Sequence, residues 1–245
     1  MLDGKTIVVE ADSTALAAKA AALFCRAAGA SIARQGFFAA ALCGGSTPRT
    51  LHRLFSAEPC RSDRLWMRTH LWWVDERMVP EDHPESNYGA AKEAFLKMVS
   101  IPADHVHPMP VSVTPEAGAH QYQEELKRFF DSHKRKRPVF DLILLGVGEE
   151  GHIASLFPGS SSLDERDEWV VSVKGGDPDL FRLTLTLPVL NQARHILFMV
   201  SGTRKAAAVK MIFQETDIVM PVHRIQPAKG SVTWLLDREA ASLLS

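Results

Sequence analysis

The sequence predicts an α/β fold, a doubly wound and mostly parallel sheet with helices on both faces, and two observations predict it. Short continuous apolar runs alternate with longer segments of helical periodicity along the whole chain, as in strands covered on both sides by crossover helices. Polar or charged groups follow directly on several of those runs, and in such sheets ligands bind beyond the carboxyl ends of the strands. With 245 residues, 46% hydrophobic and 23% charged, the chain can bury a full core, and residues 1–245 read as one domain.

The formal net charge of −1 gives no global field to draw nucleic acid or a membrane surface, so an anionic ligand needs a local cluster. No uninterrupted apolar run approaches the roughly 18 residues of a membrane span, and MLDGKTIVVEAD lacks the apolar stretch of a signal peptide. Cys25, Cys43 and Cys60 are odd in number, widely spaced and without metal-ligand spacing, which suits a reducing compartment; the expectation is a cytoplasmic protein. The sequence leaves open a monomer or a small homo-oligomer.

Ile7 to Val9 is the first strand candidate. Asp12, Ser13 and Thr14 then offer N-caps for a long Ala-rich helix ending near Gln35, with Leu16, Ala20, Leu23, Phe24, Ala27 and Ala28 on its inward face. Phe37 to Cys43 is a strand closed by Gly44 and Gly45. Ser46, Thr47 and Pro48 follow; Pro48 suits a first helical turn whose open N–H groups can hold a phosphate or carboxylate. A plain capped turn fits the same residues. A serine-hydrolase elbow does not, since Pro48 stands where its last glycine belongs, and Cys43 reads as a small apolar strand residue.

Leu71 to Val74 is a strand that runs into Asp75, Glu76 and Arg77. These charges form either a solvated rim or a site in which the planar fork of Arg77 holds a phosphate or carbonyl oxygen. Ser86 caps a helix carrying Tyr88, Ala91, Phe95 and Met98, with Asn87 at its start as a polar contact or a local cap. His105 and His107 could lie on one side of a strand, but no third ligand stands at a recognisable spacing, so no metal site is expected. Glu116 to Ser132 forms an amphipathic helix. The basic run His133 to Arg137 before Pro138 fits a cationic helix end better than a nucleic-acid patch.

Ile143, Leu144 and Leu145 form a buried strand that opens into Gly146-Val147-Gly148-Glu149-Glu150-Gly151-His152. The glycines spell a dinucleotide fingerprint, yet two glutamates would crowd the phosphates and the next strand candidate, Trp169 to Val173, ends in Lys174 instead of an acid. No nucleotide cofactor is expected. A neutral His152 on this turn can activate water; it can also merely pack there. Arg182 to Leu187 alternates as a strand with Leu183, Leu185 and Leu187 on one face, and Arg194 to Val200 is another. Ser201-Gly202-Thr203 leads to Lys205 in the first turn of a helix, where a cation makes sense beside a bound anion. TWLL near the end reads as a short strand followed by a helical tail.

The runs GGSTPRTLHRL, WWVDERMVPEDHPESNYGAAKEAFL, DLILLGVGEEGHIASLFPGS, RLTLTLPVLNQARHILFMVSGTRKAAAV and TWLLD together resemble the bacterial-type 6-phosphogluconolactonases. Their wider superfamily includes the glucosamine-6-phosphate deaminases. The resemblance implies that fold and an enzyme, a carboxylic ester hydrolase of the pentose phosphate pathway opening 6-phospho-D-glucono-1,5-lactone without metal or cofactor. It implies His152 as general base, with Arg77 and Glu150 beside it. Gly44, Gly45, Ser46, Thr47, Asp75, Arg182 and Lys205 would hold the sugar phosphate. Glu150 departs from the aspartate usual two residues before the histidine. The deaminases carry an acid five residues after it, and Phe157 stands there.

Overall fold

The computed structural model describes residues 5–214 and 219–244. Strand β1 (Lys5–Glu10) precedes helix α1 (Ser13–Gln35), which starts where Asp12 accepts from the N–H groups of Thr14 and Ala15, each at 2.9 Å. By length and mean hydropathy α1 could cross a membrane, but Lys19 and Arg26 interrupt it and its apolar residues Leu16, Ala20, Phe24 and Ala28 are buried. Strand β2 (Phe38–Leu42) is buried along its length, then come α2 (Ser46–Leu54), the single turn α3 (Asp63–Trp66) and β3 (Thr69–Trp73). After Val74 the chain forms a separate short strand, β4 (Asp75–Arg77), then α4 (Asn87–Ala94), β5 (Val106–His107) and α5 (Pro115–Ser132).

The second half holds β6 (Leu142–Leu145), β7 (Val170–Gly175), β8 (Leu180–Leu185), the turn α6 (Leu187–Leu190), β9 (His195–Val200), α7 (Ala206–Gln214) and β10 (Ser231–Asp237). Seven strands pair in the order β1-β10-β9-β6-β2-β3-β5, all parallel. Phe38 pairs with Thr69, so Phe38 and Trp72 lie on opposite faces of this sheet. Phe38 packs edge-on against Phe24 of α1, and Trp72 packs near Tyr122 and Phe129 of α5. Helices therefore cover both faces, as the alternating pattern predicts.

Winding reverses between β2 and β6. From β2 the strands progress through β3 to β5 at one edge, and from β6 through β9 and β10 toward the other. A crevice at the carboxyl ends of such a pair is the default ligand site of an open α/β sheet. The turns after β2 and β6 are those that hold Gly44-Gly45 and Gly148-His152.

Several features depart from the sequence-based expectations. The Ser86-capped helix ends at Ala94, so Phe95 and Met98 fall outside it. Residues 169–173 and 182–187 do not join the main sheet: β7 and β8 form a small antiparallel sheet with β4, in the order β4-β8-β7, and Leu187 already begins α6. Cys25 and Cys60 are joined by a disulfide with their Cα atoms 5.8 Å apart, against the reducing setting the spacing suggested, while Cys43 is free and buried. The residues after β10 make turns, not a helix.

Candidate active site

Gly44 follows β2 and lies against the side chain of Asn87. A Cβ at Gly44 would lie 1.7 Å from Asn87 Oδ1, so only glycine lets the two segments approach this closely. Gly45, at φ +105°, is the N-cap of α2 and has no side chain to cap it, which leaves the first N–H groups of the helix open beside the hydroxyls of Ser46 and Thr47.

Asn87 is itself held in place. Its Nδ2 donates to the Asp75 carbonyl at 2.9 Å, and its backbone N–H donates to Glu76 Oε1 at 2.8 Å. Glu76 also accepts from the N–H groups of Arg77 and Tyr88 and from Ser86 Oγ, tying the start of α4 to β4. Burial pushes the Glu76 carboxyl up to about 6 despite these donors.

Arg77 and Arg182 are register partners across β4 and β8. Arg77 Nη1 reaches the Glu85 carboxylate at 2.6 Å and the Glu85 carbonyl at 2.8 Å. Arg182 Nε donates to the Gly175 carbonyl at 2.8 Å, and Nη2 to the Pro178 carbonyl at 3.2 Å. Burial, and then the charge of Arg77, hold the Arg182 guanidinium below its ordinary range.

His152 follows β6 on a turn that hydrogen-bonds to itself, Gly148 N–H to the His152 carbonyl at 2.9 Å. A Cβ at Gly148 would fall 2.0 Å from His152 Nδ1, so this glycine gives the ring its seat. Glu150 Oε1 lies 2.9 Å from Nδ1. Burial pushes the Glu150 carboxyl upward, but its own backbone N–H, the His152 ring and the charge of Lys205 outweigh that and hold it below the usual range. An ionised carboxylate only accepts, so Nδ1 carries a proton, and in the neutral ring Nε2 is the nitrogen with the lone pair.

Lys205 sits in a 3-10 turn, Thr203–Lys205, just before α7 and not in the helix proper. Asp237, at the end of β10, fixes this loop by accepting from Ser201 Oγ and from the Gly202 N–H at 3.0 Å.

These groups converge. Gly44, Gly45, Ser46, Thr47, Asp75, Arg77, His152, Arg182 and Lys205 line one cavity of about 200 Å³. Glu150 does not line it; it stands behind the His152 ring with its side chain about half exposed. Asn87, Gly148 and Ser201 also line the cavity. Of these, Asn87 was legible as a polar contact, whereas Ser201 carried no signal beyond a Ser-Gly-Thr turn. Cys43 lies in the same wall, and burial, then the nearby Asp75 charge, push its thiol up to about 12, so it presents no thiolate. His105 and His107 lie elsewhere, packed against His70 at the β3–β5 edge, and among the described residues no three His, Cys, Asp or Glu side chains are placed to hold a metal ion.

The sequence pattern of the glucosamine-6-phosphate isomerases/6-phosphogluconolactonase family matches residues 11–234. The chain belongs to this family. Its relatives include a 6-phosphogluconolactonase from Nostoc sp., 38% identical over 98% of this chain and 99% of that one. Another, from Synechocystis sp., is 42% identical over 87% of each chain. Among solved structures, the 6-phosphogluconolactonase of Trypanosoma brucei superposes with a TM-score of 0.84 at 31% identity, covering 98% of this chain and 99% of that one. The family thus accounts for the seven-stranded parallel sheet, and the cavity lies where its winding reverses.

Proposed function

We propose that the protein is a 6-phosphogluconolactonase, hydrolysing 6-phospho-D-glucono-1,5-lactone to 6-phospho-D-gluconate. The observation that carries this reading is the His152 ring, seated by Gly148 and Glu150, on a cavity whose other walls hold Arg77, Arg182, Lys205 and the uncapped start of α2. Three cations and an open helix N-terminus suit a phosphate; a single neutral imidazole suits a water-activating base.

In this mechanism Nε2 of His152 takes a proton from water as its oxygen attacks C1 of the lactone. Arg77 and the turn N–H groups stabilise the oxyanion. The C1–ring oxygen bond then breaks, and His152 returns the proton to the departing oxygen. Glu150 acts as a positioning residue that fixes the tautomer. Lys205, Ser46, Thr47 and Arg182 hold the phosphate, with Gly44 and Gly45 giving it room, and Asp75 faces the sugar. No step calls for a metal or cofactor. The substrate is a small, soluble sugar phosphate, and we place the enzyme in the cytoplasm as a monomer or small homo-oligomer.

A deaminase or isomerase is disfavoured at Phe157. Its ring lies 5.0 Å from that of His152, and a second acid is needed there to work on an open-chain amino sugar. Acid release from the lactone by the purified protein is the direct test. His152→Ala should lower turnover by roughly 100- to 10,000-fold while 6-phosphogluconate still binds. Unchanged hydrolysis in that variant, or ammonia release from glucosamine 6-phosphate by the unaltered protein, would overturn the assignment.

A further inference from the structure

Beneath the cavity floor lies a polar contact that the mechanism above does not use. Ser155, three residues after His152, is fully buried. Its Oγ donates to Asp75 Oδ2 at 2.7 Å, and its N–H donates to Thr184 Oγ1 at 3.2 Å. Thr184 is fully buried too and pairs with Asp75 across β4 and β8. One serine therefore joins the His152 turn to both strands that carry the arginines.

The turn needs such a tie. Ala154, which lines the cavity, has φ +48°, a left-handed conformation unfavourable for any residue with a Cβ. Strained backbone of this kind persists where its surroundings over-determine it. The neighbouring bridge between Ile153 and Leu156 and the two Ser155 bonds do so here.

Asp75 is 6% exposed, and the cavity accounts for its opening. Ser155 occupies Oδ2, and among the described residues no group donates to Oδ1. A carboxylate oxygen on this cavity repels phosphate oxygens. It accepts a neutral donor, and the hydroxyls of a sugar ring are such donors.

We propose that Ser155 is a positioning residue for lactone hydrolysis: it locks the His152 turn to Asp75 and leaves Asp75 Oδ1 to accept a ring hydroxyl of the substrate. The inference rests on the lactonase reading above. Its test is a cycle of Ser155→Ala, Asp75→Asn and the double variant, with Ser155→Thr as the conservative change. Lactone kcat and KM, melting temperature, and the thermal shift given by inorganic phosphate are measured for each.

Ser155→Ala should lose about tenfold or more in kcat/KM, the usual consequence of deleting a hydrogen bond to a charged group, and keep the phosphate-induced shift. Adding the serine change to Asp75→Asn should cost less than about twofold further, as expected for groups acting through one another. Ser155→Thr should recover activity. The inference is overturned if Ser155→Ala matches the unaltered protein, if the two losses multiply, or if the phosphate shift vanishes together with stability. Inactivity of the unaltered protein overturns the lactonase reading itself, whereas full activity in Ser155→Ala overturns this inference alone.

Discussion

Arg77 and Arg182 stand directly opposite each other in the β4–β8 ladder, so two guanidinium groups share one face of a three-stranded sheet. Like charges in that relation destabilise a sheet unless an anion joins them. Glu85 pairs with Arg77, while among the described residues Arg182 hydrogen-bonds to carbonyls and makes no ion pair, the charges of Asp75, Glu85 and Asp179 reaching it from farther off. Under the proposed function, a phosphorylated substrate supplies the close negative charge. Inorganic phosphate should therefore raise the melting temperature, by an amount equivalent to about 2.7 kcal/mol at a hundredfold excess over its Kd. Arg182→Lys, which loses the planar fork, should abolish most of that shift and lower kcat/KM at least about tenfold. A phosphate response unchanged in Arg182→Lys would remove this residue from the anion site.

Gly44 and Asn87 give a second test. Gly44→Ala places a methyl group on Asn87 Oδ1, so the asparagine must leave its bond to the Asp75 carbonyl or the β2–α2 turn must move. Either response disturbs Ser46 and Thr47. We expect Gly44→Ala to raise KM about tenfold or more and to destabilise the protein by roughly 1–3 kcal/mol, the range for overpacking. Shortening the partner in a Gly44→Ala/Asn87→Ala pair should recover part of the stability. Denaturant melts and lactone kinetics on these two variants decide it.

What the sequence disclosed and what it hid follow from how far each signal reaches along the chain. Gly44 to Thr47 and Gly148 to His152 are local turns: glycine, hydroxyl and histidine spacing is written in consecutive residues, and the structure sets them at the β2–β6 reversal. The alternation of Arg182 to Leu187 likewise marked a strand, two residues past its observed end at Leu185. Its partner did not show, because β4 is three residues long and too short to display a period. The Arg77–Arg182 pairing, the Ser155–Asp75 bond across 80 positions and the Cys25–Cys60 disulfide across 35 all depend on register or packing between distant segments. Single-chain patterns hold no record of these contacts.

Glu76 should prove structural in origin and functional in effect. Its two oxygens accept from three backbone N–H groups and the Ser86 hydroxyl, so Glu76→Gln turns an N–H₂ group toward donors. Burying donors without acceptors costs about 1–3 kcal/mol here, seen as an earlier urea midpoint with unchanged slope. Because Asn87 and Arg77 hang on this carboxylate, KM should rise as well. A variant with full stability and unchanged KM would show that the cap does not position the site.

Acid sensitivity is expected from histidines remote from the chemistry. Burial, then the neighbouring His105, His107 and His133 rings, lower His70 to about 3. Burial, then Arg49, lowers His52 to about 4; burial likewise lowers His105 and His195. A histidine depressed in the folded state is neutral in both states above its unfolded value of about 6.5, so its effect is absent there. As pH falls from about 6.5 toward 3 to 4, the unfolded chain takes up protons that folded His70 and His52 refuse, and stability drops by up to about 1.4 kcal/mol per pH unit for each of these two; His105 and His195 act in the same direction. Glu76 runs the other way: its contribution is full below about 4.5 and lost as pH rises through about 6, so it offsets one histidine across that interval. The histidines outnumber it, and melting temperature should be nearly flat from about pH 7 to 8 and fall steeply below pH 6, with a separate loss above about pH 9, where the unfolded Cys43 thiol ionises and the folded one does not. His70→Phe, set among Phe129 and Phe37, should shallow that fall by about one proton's worth; an identical slope would place the acid sensitivity outside this cluster.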